Sequence, residues 1–225
     1  MIPLDVLTFL QGTNVFYHTS TNDHNLPHDP FKACVAPRPI GWISTISAAG
    51  ITNIAPYSFF NGVASSPPQV MYSTNGTQPH GPKDTLTNIR QGGEFVVNVA
   101  TWDLREAMNI TSQPARPDED EFILAGLTPE PSQLVKPPRI GQSPINMECT
   151  LVDIIDLATN NPDQPNTMVI GLVVGIHIDE AVLTDGMIDN TKLKLISRLG
   201  YKDYACVESV FSMVRPGDGD KLAGN

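Results

Sequence analysis

Five stretches decide what this chain can fold into: IGWISTIS from Ile40, QVMYST from Gln69, EFVVNVAT from Glu94, INMECTLVDIIDL from Ile145 and NTMVIGLVVGIHIDE from Asn166. Each is rich in β-branched and aromatic residues and each is bounded by turn formers, which is the pattern of strands. ITNIAPYSFF, after the turn AAG, resumes in extended style and makes the start hairpin-like. Parallel neighbours need a crossover of a dozen or more residues, normally a helix, and no regular helices separate these runs. The expected architecture is therefore mainly β of the α+β kind: antiparallel strands in a β-barrel or a related form, with a few short helices. A doubly wound nucleotide fold is disfavoured, and no GxGxxG precedes a helix.

The helical signals are short. KDTLTNIRQGG places Leu86, Ile89 and Arg90 at helical spacing, with Asp84 as N-cap and Gly92-Gly93 as terminator. DLREAMNITS and DEDEFILAG read as short helices and DNTKLKLISRLG as another, lying between two long strands of which YACVESVFSMVRP is the last. The first thirty residues are polar and turn-rich, an extended arm, and PGDGDKLAGN at the other end reads as frayed.

There are 24 acidic residues against 14 basic ones, a net charge of −10, so the long-range field repels nucleic acid. A small anion can still bind through a local cluster. Cys34, Cys149 and Cys206 are odd in number and far apart, supporting neither a disulfide framework nor a zinc pair, and the expected compartment is a reducing cytoplasm. No run has membrane-spanning length, and the start lacks the basic and long apolar regions of a signal peptide.

Chemistry-bearing motifs are few. GTQPHGPKDT has the Gly76 and Gly81 spacing of a phosphate loop, but Pro82 removes a backbone N–H and displaces Lys83 by one residue, which argues against an NTPase. What remains is Lys83 at a helix start, where unpaired N–H groups favour an anion and Thr85 adds a hydroxyl. His24 and His28 are interrupted by Pro27, a poor metal pair, and no GxSxG elbow is present. Arg38, between Pro37 and Pro39, is held rigidly beside the first strand. His177 alternates out of an apolar strand, as a strand-edge residue or a ligand contact.

APRPIGWISTISAAGITNIAPYSFFN, GPKDTLTNI, GEFVVNVAT, DEFILAGLTP and SRLGYKDYACV, in that order and spacing, resemble the flavin reductase-like family of FMN-binding split-barrel proteins. The resemblance runs over residues 24–215, with 1–23 as a variable extension and 216–225 as a flexible tail. It implies a split β-barrel, a homodimer, and FMN near the subunit interface. It also implies flavin or phosphate contacts at Ser44, Thr45, Asn53, Ser58, Phe59, Asn61, Lys83, Asp84 and Thr85, with Arg198 and Tyr201 toward the flavin edge. The implied activity is reduction of flavin by NADH or NADPH and onward transfer to an acceptor, which includes a redox or monooxygenase partner protein. An FMN-containing electron carrier reduced by a partner protein is the alternative, and a module that has lost its cofactor is a third.

Overall fold

The computed structural model describes residues 14–214 and 216–217. Residues 1–13 of the expected extension 1–23 and residues 218–225 of the expected tail 216–225 therefore lie outside the described residues. In chain order the strands are β1 (Arg38–Pro39), β2 (Gly41–Ile46), β3 (Thr52–Tyr57), β4 (Phe60–Ser65), β5 (Pro68–Asn75), β6 (Glu94–Val99), β7 (Pro129–Glu130), β8 (Arg139–Ile140), β9 (Ile145–Leu157), β10 (Asn166–Ile178), β11 (Leu183–Thr184), β12 (Met187–Ile188), β13 (Ile196–Arg198) and β14 (Tyr204–Cys206). The α-helices are α1 (Phe31–Cys34), α2 (Asp84–Gly92), α3 (Arg105–Ile110), α4 (Glu121–Leu124) and α5 (Asn190–Leu193).

Seven strands form one sheet in the order β3-β2-β6-β9-β10-β5-β4, every neighbouring pair antiparallel. Its two edges, β3 and β4, are consecutive in the chain and joined only by Ser58 and Phe59. Two residues cannot span an open seven-stranded sheet, whose neighbouring strands stand about 4.8 Å apart, so the sheet must curl until its edges meet. It does. A Cβ on Gly41 of β2 would lie 2.5 Å from the Phe60 ring of β4, and Tyr57 of β3 stands 4.6 Å from Tyr72 of β5, ring to ring. The result is a split barrel whose seam is crossed by Ser58–Phe59.

Alternation along β2 divides the core. Ile43 faces the barrel interior with Phe95, Val97, Val169 and the α2 residues Leu86 and Ile89. Trp42 faces the other way, among Ile54, Met108, Phe122 and Ile140, its indole N–H donating to Thr111 Oγ1 at 2.9 Å. Helix α2 thus closes the barrel interior, and it stops where Gly93 adopts φ 70°, a left-handed conformation natural to glycine.

Three sequence expectations need correction. Within DNTKLKLISRLG only Asn190–Leu193 is helical; Lys194 turns left-handed at φ 47° and Ile196–Arg198 becomes β13, because Arg38–Pro39 offers it an edge. YACVESVFSMVRP pairs only over Tyr204–Cys206, since β13 is three residues long and offers no further ladder, and Val210, Phe211, Met213 and Val214 are left exposed. The N-terminus of α2 also differs: the helix begins at Asp84, and Lys83 occupies the cap position with no side-chain cap.

Candidate functional site

The seam is where charge collects. Arg38 is only 5% exposed, yet no carboxylate of the described residues meets it; its guanidinium donates to the carbonyls of Lys32, Val35 (2.6 Å) and Leu199 (2.8 Å) and to Ser58 Oγ (3.3 Å). It also lies 5.8 Å from the Phe59 ring centroid. Across the β1–β13 ladder its partner is Arg198, a like charge directly opposite. Burial first, and Arg198 second, hold the Arg38 pKa below its ordinary range. Lys83 continues the row, its ammonium 5.6 Å from the Tyr57 ring centroid and its pKa lowered by burial and then by Lys32. Lys32, Arg38, Lys83 and Arg198 make no ion pair among the described residues. In an acidic chain such a row is an anion site in the making.

At the Lys83 end, α2 presents its first backbone N–H groups, the earliest intrahelical bond nearby being Thr87 N to Lys83 O at 3.0 Å. Lys83 and Thr74 share the wall of a cavity of 360 Å³, with Gly76, Pro82 and Arg90. Thr74 Oγ1 is buried there, facing the Tyr57 hydroxyl, and makes no hydrogen bond of good geometry among the described residues. Asp156, also in the wall, is drawn to Arg90 at 3.8 Å, and Asp84 to His80 at 3.1 Å.

Behind this surface a buried polar network fixes the helix start. Asn53 Oδ1 accepts from Thr85 Oγ1 (2.8 Å) and Thr45 Oγ1 (3.2 Å), and Asn88 Nδ2 donates to Thr45 Oγ1 (3.0 Å). Glu121, at the start of α4, receives Asn53 Nδ2 and the Ile54 N–H (2.6 Å) on one oxygen. Burial raises the Glu121 pKa to about 8, despite the Ile54 hydrogen bond and with help from Asp84 and Asp120. Ser44 stands on the opposite face of β2, bonded to the Pro138 carbonyl at 2.6 Å and to Asn98 at 3.1 Å.

The expected residues thus fall into groups. Ser58 and Phe59 lie at the seam, where Arg198 joins them through Arg38, and Lys83 lines the separate 360 Å³ cavity while its ammonium stands over Tyr57, next to the seam. Thr45, Asn53 and Thr85 form the network one layer behind, and Ser44 is separated from it. Asn61 is exposed on β4, its side chain accepting from the Gly62 N–H at 2.9 Å. Tyr201, at φ 55°, is exposed and stands 5.5 Å from the His28 ring, and Arg198 donates to its carbonyl. Of the aromatic cluster Tyr57 is core, whereas Phe60 packs on Gly41. His177 meets fully buried Glu148 at 2.5 Å; that carboxylate also accepts from Gln133 and Leu134 N–H, so the pair ties down a loop. Sequence reasoning missed Lys32, Thr74, Asn88 and Glu121, which acquire meaning only through contacts between distant segments.

With the geometry in place, likeness to known proteins is informative. The family profile described as flavin reductase like domain matches residues 34–196. An uncharacterized protein of Halalkalibacterium halodurans is 38% identical over 183 residues, covering 81% of this chain and 87% of the relative. Among solved structures, nitrilotriacetate monooxygenase component B from Bacillus cereus is similar at a TM-score of 0.79 and 32% identity, covering 89% of this chain and 100% of that one. A candidate flavin reductase with a split barrel domain from Shewanella frigidimarina is similar at a TM-score of 0.74 and 25% identity, covering 91% of this chain and 100% of that one. Sheet order, seam and sequence agree: the chain belongs to the flavin reductase-like domain family and carries its split-barrel fold.

Proposed function

We propose that this chain is an FMN-binding oxidoreductase, acting as a cytoplasmic homodimer, that takes hydride from NADH or NADPH and passes electrons to a further acceptor. The observation that carries the reading is the row Arg198–Arg38–Lys32–Lys83, four cations without carboxylate partners among the described residues, in a chain of net charge −10. FMN, when bound, supplies hydride and single-electron chemistry that side chains lack. The residues present fit its phosphate end: an ammonium at a helix N-terminus, free N–H groups and the buried Thr74 hydroxyl are the donors a phosphate monoester requires.

On this reading Lys83 neutralises the phosphate, while Ser58, Phe59 and Asn61 face the polar and planar parts of the flavin along the seam. Thr45, Asn53, Asp84 and Thr85 hold the start of α2 in place, Ser44 orients β2 from its far side, and Arg198 with Tyr201 borders the ring edge. The domain is taken as residues 24–215, with 1–23 as an extension and 216–225 as a tail. Free cysteines suit a reducing compartment. Val174, Ile176 and Ile178 share one face of β10 and are exposed, an apolar stripe that a second copy would bury. Likeness to a monooxygenase component supports a partner protein as one acceptor.

Anaerobic titration of the FMN-loaded protein with NADH and then NADPH tests the reading. Bleaching of the oxidised-flavin band is the expected result and names the donor. A band that persists with both rejects the reductase in favour of the electron carrier reduced by a partner protein.

A further inference from the structure

Of the acidic run Asp118, Glu119, Asp120 and Glu121, only Glu121 is buried. It makes no ion pair among the described residues. The charged groups that act on it are Asp84, from the start of α2, and Asp120, from its own helix, and both are acidic. From β3 it faces the buried Tyr57 hydroxyl, whose pKa is raised by burial first and by Glu121 after it, so that group stays neutral. A carboxylate in that company has neither water nor a cation to stabilise its charge.

The path from Glu121 to α2 is short. Its Oε2 accepts from Asn53 Nδ2 and from the Ile54 N–H, and Asn53 Oδ1 accepts from Thr85 Oγ1 at 2.8 Å. Thr85 is the second residue of α2, so its side chain and its backbone N–H belong to the first turn, where the helix has donors to spare. Asn88, on the next turn, closes the network through Thr45. Two hydrogen bonds therefore separate the Glu121 carboxyl from the helix start, and Glu121 is the one ionisable member of this network among the described residues.

We infer that Glu121 is a positioning residue for the anion end of the site: through Asn53 it sets the first turn of α2, and a negative charge on it works against the anion held there. In one respect this rests on the flavin reading, which puts the phosphate at that turn. Neutral, Glu121 satisfies both donors with one carbonyl oxygen and leaves the helix start to the ligand. Ionised, it joins Asp84 as a second negative charge behind the same turn. Burial raises its pKa to about 8, so the change falls at mildly alkaline pH: anion affinity is complete below that value and is reduced as pH rises through it. By linkage, a bound anion raises the Glu121 pKa further, in the same proportion as ionised Glu121 weakens the anion.

FMN binding to the full chain is measured by flavin fluorescence from mildly acidic to alkaline pH for the wild type and Glu121→Gln, with riboflavin, which lacks the phosphate, in parallel. The two proteins are expected to hold FMN equally at the acidic end, and the wild type to fall about three- to tenfold behind the glutamine variant at the alkaline end. Lys83 and the FMN phosphate are common to both proteins and cancel from that ratio. Glu121→Ala, which leaves two donors without their acceptor, is expected to bind FMN more weakly than Glu121→Gln at every pH. A residue with a structural role alone shifts affinity by one factor throughout, so a wild-type to glutamine ratio that is flat with pH, or that changes equally for riboflavin, overturns the inference. Carboxyl-carbon NMR of the glutamate-labelled wild type reads the same linkage without a variant: FMN is expected to move the midpoint of the buried carboxyl to higher pH, and an unmoved midpoint overturns the inference. If the wild type binds no FMN at any pH, the flavin reading falls, and the same NMR titration with inorganic phosphate decides the role of Glu121 by itself, a raised midpoint sustaining it and an unmoved one removing it.

Discussion

Glu121 offers the sharpest test of the network behind the seam. It is 3% exposed, and one of its oxygens receives both Asn53 Nδ2 and the Ile54 N–H. Its pKa stands at about 8, against an ordinary 4.5, because burial disfavours the charge and Asp84 and Asp120 add repulsion. A carboxyl whose folded pKa is raised binds its proton more tightly in the native state. Its contribution is therefore complete below the unfolded pKa and is lost as pH rises through the window from 4.5 to about 8. The gap corresponds to about 5 kcal/mol as a ceiling, which water entering the site reduces. Glu121→Gln keeps a carbonyl oxygen for the two donors but has no proton to lose. Urea-unfolding midpoints measured from acid to mildly alkaline pH are expected to show the wild type losing stability across that window relative to the glutamine variant. Parallel profiles for the two proteins would refute the argument, since a normally ionised Glu121 predicts no such divergence.

The other predictions address the phosphate end, the seam and the second copy. Lys83→Ala is expected to weaken FMN about ten- to a hundredfold by flavin-fluorescence titration, the size of a lost charge-assisted hydrogen bond; unchanged affinity removes the phosphate assignment. Gly41→Ala places a methyl 2.5 Å from the Phe60 ring and is expected to cost about 1–3 kcal/mol in chemical unfolding. Gly92→Ala, at the end of α2 with nothing within 4 Å, is expected to be neutral or mildly stabilising in the same assay, and equal losses in both would contradict the seam geometry. If the proposed homodimer forms through the exposed stripe of β10, Ile176→Asp, which puts a charge there, is expected to halve the mass that the wild type shows by light scattering; a wild type of monomer mass, or a mass the substitution leaves unaltered, removes that interface.

Legibility followed the range of the interactions. Strand periodicity and the missing crossover helices were enough for an antiparallel sheet, because β propensity and connection length are local properties. Gly93 at the end of α2 was legible for the same reason: only its own backbone angle matters. The two misread segments failed on a partner. ISRLG has no strand signal stronger than its helical one until Arg38–Pro39 supplies an edge, and VESVFSMV loses its strand once β13 ends. Asp84 looked like a cap by composition, but His80 claims its carboxylate.

The seam shows the same division at the level of function. APYSFFN reads as three aromatics around a hydroxyl, and the structure assigns them separate tasks: Tyr57 fills the barrel, Phe60 sits on Gly41, and Phe59 lies beneath Arg38. Only the order of strands explains why. Because β3 and β4 are the edges of one curled sheet, the two residues between them must cross its opening, and whatever they carry is presented there. Arg38 reaches Ser58 from one side through the small sheet, and Lys83 comes from α2 on the other. Three segments that are remote in sequence therefore converge on a single crossing. The cation row is a product of topology, so moving the edge pairing, as Gly41→Ala is designed to do, should weaken anion binding even though Gly41 carries no charge.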